Sequence, residues 1–344
     1  MTTTTRADLA GPAGSTNGRA RLAIGLDVGG TKIAGGVVSS RGEVLETIAP
    51  IPSPAVEPDA ALPALCSLII DLRTRHADIE AVGVGAAGMI EWPAGLIRWA
   101  PNNAYRALPL RQLLQEATGL PTVVDNDANA AAWAEARCGS QASYLAFLTV
   151  GTGVGGGLIL DGQLYRGKTG IGAEVGHLIV DPQGGHLCGC GNIGCLEALA
   201  SGTALGRYGR SAAAADPGGL LATLAGGVAD VTGETVFAAA RVNDPTALAL
   251  LERLGYWLGV GAASLVNLFE FELIVVGGGV ATAGEMLLDS ARASFEQFVF
   301  AREHRHIPAI VPARLGSRAG WVGAAMLALD ERERDLPQLA ESCS

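Results

Sequence analysis

The chain has 344 residues, enough for one large or two medium domains, and carries 34 acidic against 24 basic side chains, a formal charge of −10. That balance argues against a nucleic-acid scaffold, which shows a basic footprint, yet leaves room for one anionic nucleotide held locally by backbone amides. Hydrophobic residues make up 49% and aromatics only 5%, so the core is built from Ala, Val, Leu and Ile; the 48 glycines have no period, which excludes collagen, and cluster beside apolar runs, a pattern of tight turns and close backbone approach to a ligand.

Residues 1–20 are rich in Thr, Ala and Gly, lack an apolar signal core, and are expected to form a disordered tail. Leu22 to Val38 predicts strand, glycine turn, strand. The Pro-rich stretch 50–63 reads as a loop, 60–76 has helical spacing, and Ala81 to Val84 is a short buried strand ending at GAAG (85–88). A helix over 109–118, a strand over Thr122 to Val124 and an Ala-rich helix over Asp127 to Ala136 follow. Tyr144 to Leu160 then repeats the first pattern. Two such units, each presenting amides at a turn, would grip one polyphosphate from two sides. Residues 246–269 predict a long apolar helix, Phe271 to Val280 a strand ending in glycines, and Arg318 to Leu329 a final helix. The alternation implies an α/β fold with a lobe boundary near residue 127. No uncharged apolar run is long and Gly-poor enough to predict a membrane span.

Four constellations carry chemistry. In Asp27-Val-Gly-Gly-Thr-Lys32, Gly29 and Gly30 let the backbone approach phosphate oxygens, Thr31 adds a hydroxyl, and Asp27 can orient magnesium through water. The Walker spacing is absent, and an ordinary glycine hairpin has the same local pattern. The loop at 149–157, with Thr152 and Gly153, contains G-x-G-x-G, but an apolar strand follows it at once, which disfavours a dinucleotide site. Asp125-Asn126-Asp127 lies between a buried strand and a helix, where one carboxylate can cap the helix while the other serves as base. In the fourth, Cys188, Cys190 and Cys195 supply three thiolates, and His177 or His186 would complete a closed Cys3His zinc site. Glu174 and Glu197 flank that stretch and suit sugar hydroxyls, which carboxylates hold by charge-assisted bonds. Clustered thiols without a secretory signal favour metal binding and a reducing cytoplasm over disulfides.

Taken in order, DVGGTK (27–32), GAAG (85–88), APN (100–102), NDANAAA (126–132), EVGH (174–177), CGCGNIGCLE (188–197) and VVGGGV (275–280) resemble the ROK sugar kinases, most closely their bacterial glucokinases, over about Arg21 to Leu329. The resemblance implies a two-lobed actin-like, hexokinase-like ATPase fold with a ribonuclease-H-like duplication and a structural zinc loop. It assigns 21–127 plus 318–333 to a small lobe and 128–317 to a large lobe. Asp127 is implied as general base, and Gly88, Asn102, Asn126, Asp127, Glu174, His177 and Glu197 as sugar contacts. Asp27, Gly29, Gly30, Thr31, Lys32, Thr152, Gly153, Gly277 and Gly278 are implied around ATP and magnesium. The resemblance selects His177 over His186 for zinc, with Cys188, Cys190 and Cys195. Its expected substrates are glucose and ATP, with no nucleic-acid or membrane partner, and its expected state is a cytoplasmic dimer or tetramer. About 20 residues precede the first strand, too few for the winged helix of the family's repressors. Two departures stand out: Asn103 follows Asn102, leaving open which faces sugar, and Glu91 stands where many relatives carry Asp. The alternatives are a kinase for another hexose or an N-acetylated amino sugar, and a sensor that binds sugar without phosphorylating it.

Overall fold

Strands buried on both faces read as unbroken apolar runs, and four such runs organise this chain. The structure, a computed structural model, describes residues 20–53, 58–100 and 104–341. Residues 1–19 of the expected tail, Asn102 and Asn103 lie outside them. The first half contains β1 (Leu22–Val28), β2 (Lys32–Ser39), β3 (Val44–Thr47), β4 (Ile51–Pro52), α1 (Pro58–Arg75), β5 (Ile79–Ala86), β6 (Met89–Glu91), β7 (Leu96–Trp99), β8 (Arg106–Leu108), α2 (Leu110–Thr118) and β9 (Thr122–Asn126). Helix α3 (Asp127–Ala134) then runs into a π-helical turn at Glu135–Gly139. The second half contains β10 (Leu145–Val150), β11 (Val154–Leu160), β12 (Gln163–Tyr165), α4 (Leu196–Ala200), α5 (Gly202–Ala215), α6 (Leu220–Ala225), α7 (Gly233–Arg241), α8 (Pro245–Phe269), β13 (Leu273–Gly277), α9 (Glu285–Phe298), β14 (Ala309–Pro312) and α10 (Ala319–Glu341).

Two sheets share one plan. The first runs β3-β2-β1-β5-β9 with β4 on β2, and the second runs β12-β11-β10-β13-β14. In each, the central hairpin is antiparallel and the two joins beyond it are parallel. The register places Asp27 beside Gly85 in one sheet and Thr149 beside Gly277 in the other, at equivalent strand ends. The repeated strand–turn–strand pattern of the sequence is therefore the visible part of a longer correspondence. β6, β7 and β8 form a separate antiparallel sheet. There Glu91 pairs with Arg98 at 2.5 Å across the β6–β7 hairpin.

α3 and α10 lie between the two main sheets. α10 packs on β1, β2 and β5, α3 packs on β10 and β11, and the helices pack on each other. Glycine makes this closeness feasible. A Cβ on Gly25 or Gly83 would overlap the carbonyl of Trp321 or Ala324 in α10, and one on Gly323 would overlap the carbonyl of Ala130 in α3. These glycines serve helix–sheet packing, where the composition had suggested ligand approach.

Local signals set the helix ends. Asp244 accepts from the Ala247 amide at 2.8 Å with Pro245 at the first position of α8, and Gly119 ends α2 in the left-handed region at φ 67°. α1 begins at Pro58, inside the stretch expected as loop, since proline's missing N–H costs nothing in a first turn. α10 continues past Leu329 to Glu341. We expect Gly83→Ala to lower stability by at least about 1–3 kcal/mol, the usual cost of overpacking, because the carbonyl it meets is backbone and cannot rotate away. Thermal or urea denaturation checks this.

Candidate active site

β9 delivers Asp125, Asn126 and Asp127 to the start of α3. The cap is Asn126, whose Oδ1 accepts from the amides of Ala128 (2.9 Å) and Asn129 (3.1 Å). The sequence reading had given that task to a carboxylate. Asp125 is instead buried and bonded to Arg166, and Asp127 is the first helical residue, its carboxylate accepting from Ala128 at 2.8 Å. With Asn126 capping, Asp127 keeps an oxygen for other chemistry. The Asn126 amide group also donates to the carbonyl of Gly88 at 3.2 Å, so the GAAG turn is tied to the start of α3.

A cleft of about 450 Å³ opens at this point. Its walls are Asp27, Asp127, Ala128, Ala131, Phe147 and Thr149, then Val276 to Gly279, Ala281 and Thr282, and finally the segment from Pro312 through Gly316, Ser317, Ala319 and Gly320. The N-termini of α3 and α10 both reach it, and helix N-termini favour anions. Of the residues expected around ATP, Asp27, Gly277 and Gly278 line the cleft. Gly29, Gly30, Thr31 and Lys32 form the β1–β2 turn beside it, closed by a bond from the Gly29 amide to the Lys32 carbonyl at 3.1 Å. Thr149, which opens the 149–157 loop read from the sequence, is also a wall residue, whereas Thr282 and the 312–320 wall were missed. The signal available was the small Gly-Ser-Arg-Ala-Gly run before the last helix.

Burial governs the charges here. The Asp27 carboxyl is pushed up to about 7 by burial and by the neighbouring Asp127 charge, with Lys32 opposing. Asp127 is also raised, again by burial, against stabilising bonds from backbone amides. Glu174 is raised by burial and by the charges of Asp127 and Glu197, while His177 pulls it down. Glu174, His177, Glu197 and Asp127 thus share one electrostatic neighbourhood.

The second glycine turn leads into the same neighbourhood. Val154, at the start of β11, donates its amide to Glu197 at 3.0 Å. The space a Gly153 side chain would need is filled by that carboxylate. The carbonyl of Thr152 accepts from the Thr203 hydroxyl at 2.7 Å. Gly153 is therefore required for Glu197 to sit where it does, whatever it offers to phosphate.

His177 ends a short 3-10 turn, and Cys188, Cys190 and Cys195 lie on a tight knuckle closed by the Cys188 amide on Asn192 at 2.8 Å. Their ligand atoms all fall within 4.8 Å of one another. The His177 Nδ1–Cys188 Sγ and Cys190–Cys195 Sγ separations are both 3.6 Å. A tetrahedral centre with bonds of roughly 2.0–2.3 Å has edges of about 3.3–3.8 Å, so the set fits a closed tetrahedral metal. His186 lies elsewhere, 6.2 Å from the Tyr208 ring between centroids. Burial first, then the neighbouring thiols, push Cys195 up to about 12; burial also raises Cys188, while the Asn192 amide lowers Cys190. A bound divalent cation would hold all three as thiolates.

This combination of a duplicated sheet, a cleft between two helix N-termini and a Cys3His knuckle beside paired carboxylates defines a class of sugar-kinase fold. A family model described as the ROK family matches residues 23–331, and the chain belongs to that family. A glucokinase from Streptomyces coelicolor is 41% identical over 312 residues, covering 89% of this chain and 97% of that protein. The crystal structure of a ROK family glucokinase from Streptomyces griseus in complex with glucose and AMPPNP superposes with a TM-score of 0.79 at 42% identity, covering 90% of this chain and 99% of that one. A ROK hexokinase from Thermus thermophilus gives a TM-score of 0.75 at 37% identity, covering 91% and 99%. No helix among the described residues is long and apolar enough to cross a membrane.

Because the folded Asp27 holds a proton between its unfolded value and about 7, the ligand-free protein loses stability as pH rises through that window and levels off above it. Asp27→Asn removes this loss. Its melting temperature relative to the parent is expected to be higher at pH 8 than at pH 5, read by thermal denaturation without nucleotide.

Proposed function

We propose that the protein transfers the γ-phosphoryl group of ATP to the 6-hydroxyl of glucose. The observation that carries this reading is Asp127 at the N-terminus of α3, on the wall of the nucleotide-sized cleft and within electrostatic reach of Glu174. The likeness to a glucokinase structure holding glucose and AMPPNP supports it. Asp127 takes the proton as O6 attacks the γ-phosphorus and the bond to the β-phosphate oxygen breaks. A raised carboxyl suits a base working near neutral pH. The α3 and α10 N-termini and the glycine turns stabilise the phosphoryl charge, so catalysis is chiefly positioning and electrostatics. Asn126, Glu174, His177 and Glu197 hold the sugar hydroxyls, with Gly88 tied to Asn126; the family likeness adds Asn102 to this set. Asp27 is placed to hold the magnesium that accompanies ATP, which screens phosphate charge. Gly29, Gly30, Thr31, Lys32, Thr152, Gly153, Gly277 and Gly278 frame the nucleotide.

The knuckle would hold structural zinc through His177, Cys188, Cys190 and Cys195, a set that leaves no open position for water. Nδ1 of His177 faces the thiols, leaving Nε2 for the sugar. Residues 21–127 with 318–333, and 128–317, act as two lobes closing on the substrates, in a cytoplasmic homo-oligomer. The Thermus hexokinase likeness favours, as second reading, a wider range of hexoses.

Asp127→Asn is expected to cut kcat by at least about 10²-fold with little change in glucose affinity. Near-native turnover would leave Asp127 without a catalytic role. Cys190→Ser is expected to lose zinc by elemental analysis and to raise the KM for glucose more than that for ATP. A metal-free parent protein with full glucose affinity would contradict the zinc assignment. A coupled assay over a panel of hexoses decides between the two substrate readings.

A further inference from the structure

Asp125 is buried and ionisable, yet the phosphoryl-transfer scheme above gives it no task. It accepts from the Asn126 amide at 2.7 Å and from the Asn129 side chain at 3.0 Å. Its other oxygen meets Nε of Arg166 at 2.6 Å, with side-chain exposures of only 4% and 12% for the two partners. The Arg166 guanidinium also lies over the Trp92 ring, 3.8 Å from its centroid. One side chain thereby joins three places in the fold: β9 through Asp125, the turn just after β6 through Trp92, and the end of β12, which Arg166 directly follows.

The segment that Arg166 opens is fixed at further points. Its carbonyl accepts from the Gly172 amide at 2.9 Å, and the Thr169 carbonyl accepts from the Trp92 amide at 2.9 Å. Gly170 sits so close to Ile90 and Trp92 that a side chain there would overlap their backbone. Immediately afterwards come Ala173, at φ 66°, and Glu174. On the other side of the pair, Asp125 precedes Asn126 and Asp127 directly.

We propose that Arg166 is a positioning residue, locking the Asn126–Asp127 strand end to the Glu174–His177 loop so that the two halves of the sugar site keep their spacing. This rests on the glucose reading given above. Arginine suits the task because its planar group can bond a carboxylate in plane while stacking on an aromatic face, which lysine cannot do. The segment from 166 to 174 is short and pinned, so displacement of Arg166 passes to Glu174.

The test separates this role from plain support of the fold. Arg166→Met leaves Asp125 buried without its cation, so lower stability is expected from either role. The double variant Asp125→Asn with Arg166→Met removes that orphan charge. It is expected to regain stability in thermal denaturation but to keep a kcat/KM for glucose reduced by about 10²-fold, the scale of an ångström misplacement. The KM for ATP is expected to stay within about threefold of the parent, since the cleft walls do not include Arg166. Arg166→Lys, which keeps the charge and loses the stacking, is expected to fold well and recover only part of the glucose kcat/KM. Parent-like glucose kinetics in the double variant would overturn the proposal, and so would a KM for ATP raised as far as that for glucose. A parent protein that fails to phosphorylate glucose would overturn the glucose reading itself, whatever the variants do.

Discussion

The close approach of α3 and α10 between the two sheets is the constraint on which the rest of the structure depends. Their backbones come near the strands because Gly25, Gly83 and Gly323 leave no side chain in the way. That packing fixes where the helices begin, and both begin at the cleft. Two positive helix ends then converge on one volume, matching what a chain of phosphates needs. The same packing half-buries Asp27 and Asp127 at the cleft, and that loss of solvent raises both carboxyls. Cleft and core therefore cannot be adjusted separately.

The sugar side is organised by different means. Each candidate ligand is held by a neighbour with its own hydrogen-bonding logic: Asn126 by the helix it caps, Glu197 by the Val154 amide, His177 beside the Cys188 thiol. Glu197 deserves particular notice because its second oxygen lies 3.7 Å from the Cys188 sulfur. It therefore stands between the cysteine knuckle and the β10–β11 turn, touching both. A perturbation of the knuckle has a direct route to the glycine turn through a single side chain.

Much of the plan was legible in the sequence because it is written in local rules. The apolar runs at 22–28 and 145–150 and their glycine turns were readable as strands, and their repetition indicated a duplication. The cysteine spacing indicated a ligand set, and the ordered motifs indicated the family. What was not legible depends on distant contacts. The Asn126 cap and the Asp125–Arg166 pair divide one short run between them, and the pair depends on where the chain leaves β12, 41 residues on. That Gly153 also makes room for the Glu197 carboxylate cannot be read from its turn alone. Helices α4, α6 and α7 run only five, six and nine residues, too short for a sustained periodic pattern. The 312–320 wall gains its meaning only from the pairing of β14 with β13, which the Ala313 amide extends by bonding the Val276 carbonyl.

The buried Asp27 also has a calorimetric consequence. With its carboxyl raised to about 7 by loss of solvent and the neighbouring Asp127 charge, the group still holds protons in part of the ligand-free population at neutral pH. A cation arriving with the nucleotide favours the ionised form, so the proton must leave for the solvent. The heat of nucleotide binding then contains the ionisation heat of whichever buffer receives it. Two buffers of equal pH but different protonation enthalpy would report different apparent enthalpies for one and the same binding event.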